Sequence, residues 1–197
     1  MFDLWYIHLS FALLTFLLLP VCRLSRRLQG VLLAGLLLVS YIPIQGLPLA
    51  VYLRTFTHEL PIVALLGLGW AVLVRMGLVQ RLPAAQRWQI LILFGALGAF
   101  LFPATLGLTA FDPYRLGYNP RPMILVVGVL ALLMLYWRNW LAVAMLTLAT
   151  LAFSLELTSS DNYWDYLLDP FVAMYCWGAL IVGAIRLGLP RRRPLAG

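Results

Sequence analysis

The chain has 197 residues, 63% of them apolar and 11% charged, with a formal net charge of +7 and a mean hydropathy of +0.95. A water-soluble fold of this size could not bury so much apolar surface, so the composition excludes a soluble catalytic domain and makes the lipid bilayer the solvent. The complete absence of lysine excludes a retinal Schiff base and any other lysine-based covalent chemistry.

A spanning helix needs roughly 20 predominantly apolar residues. Apolar runs between arginine clusters and Pro/Gly breaks predict seven, at about 4–22, 28–46, 60–79, 88–107, 122–137, 140–157 and 170–188. The expected fold class is all-α: one polytopic integral membrane domain over residues 1–197, with seven transmembrane helices and short interfacial helices on the extracytoplasmic side. In the first segment Asp3 precedes the apolar run and Arg23, Arg26 and Arg27 follow it, the reverse of a secretory signal, which predicts an uncleaved anchor. Pro43 and Pro48 break the outer end of the second span, so residues 47–57 are expected to run along the interface. Trp137, Arg138, Asn139 and Trp140 form the tight turn expected between spans five and six.

Orientation follows from the retention of arginine in the cytoplasm. Arg23, Arg26, Arg27, Arg75, Arg81, Arg87, Arg138, Arg186 and Arg191 to Arg193 fall on one side. Asp3, Glu59, Asp112, Glu156, Asp161, Asp165 and Asp169 fall on the other, with only Arg54, Arg115 and Arg121. The balance is +11 inside and −4 outside, with the N-terminus out and the C-terminus in. Lysine-free composition rich in Leu, Arg, Ala and Gly suits a high-GC bacterium, and hence its inner membrane.

Three outer segments carry chemistry. In 158–170, Thr158 and Asp161 read as a capping box opening a short amphipathic helix. Asp161, Asp165 and Asp169 would share one wet arc with Asn162 and Tyr166, leaving Tyr163, Trp164, Leu167 and Leu168 on the membrane arc. The carboxylates could hold a divalent cation, bind a sugar or supply an acid/base pair. The plainer reading is an aromatic anchor, Trp164 included, with Asp169 capping span seven ahead of Pro170.

In 109–122, Asp112-Pro113 and Asn119-Pro120 mark turns and Gly117 permits a bend, which predicts an ordered cap. Arg115 and Arg121, with Tyr114 beside them, are candidates for binding phosphate. An internal partner, Asp112 or the Asp161/Asp165 ladder, is the expected resting place of these guanidinium groups. The third patch is Arg54, His58 and Glu59, a candidate acid/base or phosphate-binding group. His8 lies at the same depth and is a candidate metal ligand with Asp161 and Asp165; with His58 it could flank a haem, although a satisfied interfacial histidine is the commoner case. Glu156, near the membrane edge, is expected to pair with His8 or Arg54.

Small residues such as Gly95, Ala99, Gly98, Gly178 and Gly183 permit close helix approach, within the bundle or against another membrane protein. Cys176 lies within span seven, which argues against a structural disulfide or a cysteine metal site. No Gly-rich phosphate loop, zinc helix or nucleophile turn occurs, and no cofactor is expected. The dispersed arginines argue against nucleic acid. The expected partners are membrane lipids and an integral membrane or periplasmic protein.

The leading expectation is therefore a non-catalytic inner-membrane subunit or accessory protein of a cell-envelope complex. The alternative is a membrane-embedded enzyme acting at the outer leaflet on a lipid-linked or phosphorylated substrate through the Asp/Glu/His/Arg cluster. A lipid carrier or scramblase is the weaker third, since span centres lack ionisable groups.

Overall fold

The computed structural model describes residues 4–108 and 111–188, so Asp3 and Arg191 to Arg193 lie outside the described residues. Nine α-helices make up most of the described residues: α1 (Trp5–Leu18), α2 (Arg26–Val39), α3 (Leu49–Thr57), α4 (Ile62–Arg75), α5 (Ala84–Thr105), α6 (Arg121–Tyr136), α7 (Trp140–Ser154), α8 (Trp164–Leu167) and α9 (Pro170–Gly188). Each of the seven apolar segments contains a helix, but most are shorter than the hydropathy suggests. Among the described residues only Ala84–Thr105 and Pro170–Leu187 are long and apolar enough to cross a membrane. A third crossing results if α3 and α4, bent by 114°, count as one broken span. A 14-residue helix such as α1 is about 21 Å long, against a hydrocarbon core of about 30 Å. Hydropathy sees the apolar residues beyond a helix end, whereas the helix stops where its capping chemistry lies.

Those caps are local and readable. Ser25 Oγ accepts the Leu28 amide at 3.4 Å, Asn139 Oδ1 the Ala142 amide at 3.3 Å and Asp169 Oδ1 the Val172 amide at 2.7 Å. C-terminally, α4, α5, α6 and α7 each end in paired turn bonds through a left-handed residue, Gly77, Gly107, Arg138 and Glu156 respectively. Span two, read to residue 46, stops as a helix at Val39. The chain then forms a two-residue hairpin, Pro43–Ile44 against Leu47–Pro48, turned by Gln45 and Gly46 at φ 51° and 85°. Positive φ at both central residues matches the twist of paired strands.

The helices alternate in direction, so linkers gather at two ends. At one end Asn139, fully buried, donates to the Gln86 carbonyl and Gln89 Oε1, both at 2.9 Å, and Gln86 donates to the Arg138 carbonyl. There too the Arg75 guanidinium donates to the carbonyls of Leu17 and Leu19 at the end of α1. Helix α5 lies along α9, α6 along α7, and α1 packs on α2 and α4. Gly98 and Gly183 allow the α5–α9 approach: an added Cβ would meet Ala173 Cβ at 2.8 Å and the Trp88 ring at 2.3 Å. Trp177 Nε1 also donates to the Gly95 carbonyl at 2.8 Å. The close-packing role of these glycines is thus internal, whereas Gly178 opens on empty space.

Candidate functional site

The opposite end carries the candidate chemistry, held in a cap of two loops. Residues 111–118 include a 3₁₀ turn, Pro113–Gly117, opened by Asp112, whose carboxylate accepts the Tyr114 amide at 3.0 Å. This turn is clamped to residues 162–164. Asn162 Nδ2 donates to the Tyr114 carbonyl at 3.1 Å, Trp164 Nε1 to the Pro113 carbonyl at 2.9 Å and the Tyr163 amide to the Gly117 carbonyl at 3.2 Å. Gly117 supplies closeness instead of a bend, since an added Cβ would lie 1.7 Å from Asn162 Oδ1.

The expected amphipathic helix over 158–169 is corrected accordingly. Helix α8 spans only Trp164–Leu167, and Asn162 Oδ1, not a Thr158/Asp161 box, accepts the Trp164 amide at 2.9 Å. Asn162 and Tyr166, placed on the wet arc by the helical period, are buried, as are Tyr163 and Trp164 on the other arc. The reason is tertiary: the chain folds back so that the Tyr166 hydroxyl donates to the carbonyls of Ser160 and Thr158 at 3.1 and 3.3 Å. Tyr163 meets Thr150 of α7 at 2.6 Å, and burial pushes its phenol above the usual tyrosine range. Trp164 is therefore a core clamp and not a membrane anchor.

Next to this clamp opens a cleft of about 590 Å³. Its polar lining includes Arg54, His58 and Glu59 from the end of α3, Tyr114, Ser159, Ser160, Asp165 and Asp169, and its apolar lining includes Leu101, Phe102 and Phe171. Arg54 and Glu59 form an ion pair, and Ser159 donates to both Glu59 oxygens at 2.8 Å. Tyr6, wholly buried, stands beside Glu59 and Ser159. The Tyr114 hydroxyl donates to Asp165 at 3.0 Å, and Ser160 donates to the same carboxylate. Burial first, and the Asp165 charge second, drive the Tyr114 phenol well above its ordinary range, so it remains a donor. Asp169 is also raised, by desolvation opposed by the Val172 amide, and its Oδ2 is buried with no hydrogen-bond partner.

Other expectations are redistributed. Asp161 is exposed, so the three aspartates form no ladder: one faces water, one serves Tyr114 and one caps α9. Glu156 pairs with neither His8 nor Arg54. It is exposed at φ 51° in the turn that ends α7, while Arg54 is taken by Glu59. His8 is buried instead against Ser40 Oγ at 2.9 Å and stacks on Tyr41 at 3.6 Å between ring centres. His58 lies exposed in the cleft wall, in the left-handed region at φ 52°. No group of three or more His, Cys, Asp or Glu side chains is arranged to hold a metal among the described residues.

Arg115 and Arg121 are exposed, and the described residues contain a single ion pair, Arg54–Glu59; the internal carboxylate partners expected for both are not found. Arg115 lines a second cleft of about 420 Å³ with Phe111, Asp112, Leu116, Asn119 and Pro122. Neighbours in sequence, Tyr114 and Arg115 thus serve different clefts. Sequence reasoning missed Ser159 as a Glu59 partner, Ser160 as an Asp165 partner and Tyr6 altogether; hydroxyls with no charge or period to mark them leave no signal.

No protein-family model, curated protein or solved structure matches this chain. The functional reading therefore rests on the geometry of this end of the bundle.

Proposed function

We propose that this protein is a non-catalytic integral subunit or accessory protein of a bacterial inner membrane, crossing it seven times with the N-terminus out, and that its ordered outer cap is a surface for a cell-envelope partner. The observation that supports this reading is the internal engagement of the cleft's charges. Glu59 is held by Arg54 and Ser159, Asp165 by Tyr114 and Ser160, and Asp169 by the start of α9. Carboxylates arranged this way stiffen a cap, and they leave no acid/base pair poised over open space.

Two further features favour the membrane arrangement. Arginine-bearing links such as 76–83 and 137–139 gather at the end opposite the acidic cap, in keeping with cytoplasmic retention of positive charge. Broad apolar faces also remain open, for example Leu125, Val126, Val129 and Leu132 on α6, an area far beyond what water tolerates. Short helices fit a bilayer that thins locally or meets flanking apolar turns. Gentle extraction followed by native mass spectrometry tests the proposal. A stoichiometric protein partner is expected, and a lone chain carrying a pigment, a metal or a substrate-like lipid would contradict it.

A second reading is favoured by the larger cleft itself: a membrane-embedded enzyme acting on a lipid-linked or phosphorylated substrate. The exposed His58 lines a space that could admit a headgroup, and Asp169, whose Oδ2 is buried without a hydrogen-bond partner, belongs to the same wall. For that reading Asp165→Asn abolishes function while folded protein still accumulates.

A further inference from the structure

The second cleft has a chemistry of its own. Its wall holds one guanidinium, Arg115, with no carboxylate partner among the described residues, and the Asn119 amide. The one acid there, Asp112, accepts the Tyr114 amide through one carboxylate oxygen and forms no ion pair with Arg115. Arg121 stands beside the lining residue Pro122 and begins α6, a position where a cation is opposed by the helix dipole. That first turn has no acidic residue and no side-chain cap, so dipole and arginines add to one positive region. Arg115 stands at the acidic end of the bundle, where Glu59, Asp165 and Asp169 are engaged within the cap and no carboxylate pairs with it among the described residues.

The apolar surroundings say where the anion comes from. Phe111, Leu116 and Tyr118 are all exposed around the same turn, and amphipathic rings beside arginine are the usual composition of a protein surface at the headgroup level. A free phosphate would need none of them.

We propose that the Phe111–Pro122 cleft binds the phosphate headgroup of an anionic lipid in the outer leaflet, with Arg115 as the direct ligand, Arg121 reinforcing the field and Phe111, Leu116 and Tyr118 against the glycerol and upper acyl region. This inference rests on the membrane orientation proposed above but not on the accessory or enzyme reading. The test is native mass spectrometry of the full chain in neutral detergent, titrated with phosphatidylglycerol or phosphatidylcholine. Arg115→Gln and Arg121→Gln are compared with Arg81→Gln, a control in the opposite linker, after each variant is shown to melt like the parent without lipid.

Tighter binding of the first phosphatidylglycerol than of phosphatidylcholine is expected, weakened roughly fivefold by Arg115→Gln, the factor ordinarily associated with one surface arginine on an anionic membrane. Arg81→Gln should leave that first binding step unchanged, and Arg115→Lys should restore much of it. Equal binding by parent and Arg115→Gln would overturn the site. Displacement of the lipid by excess inorganic phosphate would assign the cleft to a free anion and overturn the lipid source. Because neither measurement uses a partner protein or a turnover assay, failure here is distinguishable from failure of the accessory reading.

Discussion

The two ends of the bundle are held by different means. At the arginine-rich end the chain turns within a few residues, at 76–78 and 137–139, and single side chains tie these turns to distant helix ends: Asn139 to Gln86 and Gln89, and Arg75 to the carbonyls of Leu17 and Leu19. At the acidic end whole loops are fastened to one another by several side chains at once: Ser159 to Glu59, Tyr114 to Asp165, Asn162 to Tyr114 and Trp164 to Pro113. The contrast teaches that one end is a set of hinges between helices and the other is a small assembled surface. Contacts that share neighbours do not lose their energies independently, so one lost close contact is felt across the whole clamp.

The largest expected effect follows from Gly117→Ala. The new methyl would overlap the Asn162 side chain and approach the Trp164 ring, so the two cap loops must separate at a cost of about 3 kcal/mol or more. Thermal unfolding in detergent should show this together with increased proteolysis of 111–118 and 158–163. Gly183→Ala, the comparable change on α9, meets the movable end of Trp88 and should cost visibly less. Equal losses would erase the distinction between the ends.

Next in size is Asn139→Ala. It removes two donated bonds and the α7 cap from a wholly buried site, a loss of about 2–3 kcal/mol read from the same melting curves. Tyr114→Phe should cost about 1–2 kcal/mol and leave Asp165 with Ser160 alone, with no effect on the far end. A loss greater than that of Asn139→Ala would make the cleft network, not the hinges, the dominant fastening.

Asp169 gives a pH signature confined to the cap. Its folded-state affinity for protons is raised above the ordinary aspartate value of 3.8, so its contribution to stability is fully present below that value and declines as pH rises through the folded-state value. Asp169→Asn keeps a competent N-cap residue and should flatten the decline in melting temperature above pH ~4. An unchanged slope would show that Asp169 is not the titrating group.

The smallest effects are gains, and they apply to both ends alike. Glu156 and Arg138 hold φ of 51° and 56° in C-terminal turns that glycine fills without strain. Glu156→Gly and Arg138→Gly should each change stability by about +0.5 to +1 kcal/mol. A loss at Glu156 but not at Arg138 would reveal a contact of that carboxylate with something outside this chain.

The sequence is legible where the chemistry is local, at either end. The Asp169 cap, the Trp137–Trp140 turn and the breaks at Pro43 and Pro48 are local chemistry, and helices begin or end close to them. The acidic cap was legible only as a collection of residue types. Arg54, Glu59, Tyr114 and Asp165 do line one cleft, but Trp164 and Tyr166 were assigned faces by a helical period that the chain abandons after one turn. The seven apolar runs were visible because hydropathy sums over composition. Helix length was not, because it depends on where each cap falls within the run.

The proposed topology places these two ends on opposite sides of a membrane. Single cysteines at Asp161→Cys in the cap and Gln80→Cys in the arginine-rich linker, introduced after Cys22→Ser and Cys176→Ala, can be challenged with a membrane-impermeant maleimide in spheroplasts. Labelling is expected at position 161 in intact spheroplasts and at position 80 only after permeabilisation. Labelling of both positions from outside, or of position 80 alone, would contradict it.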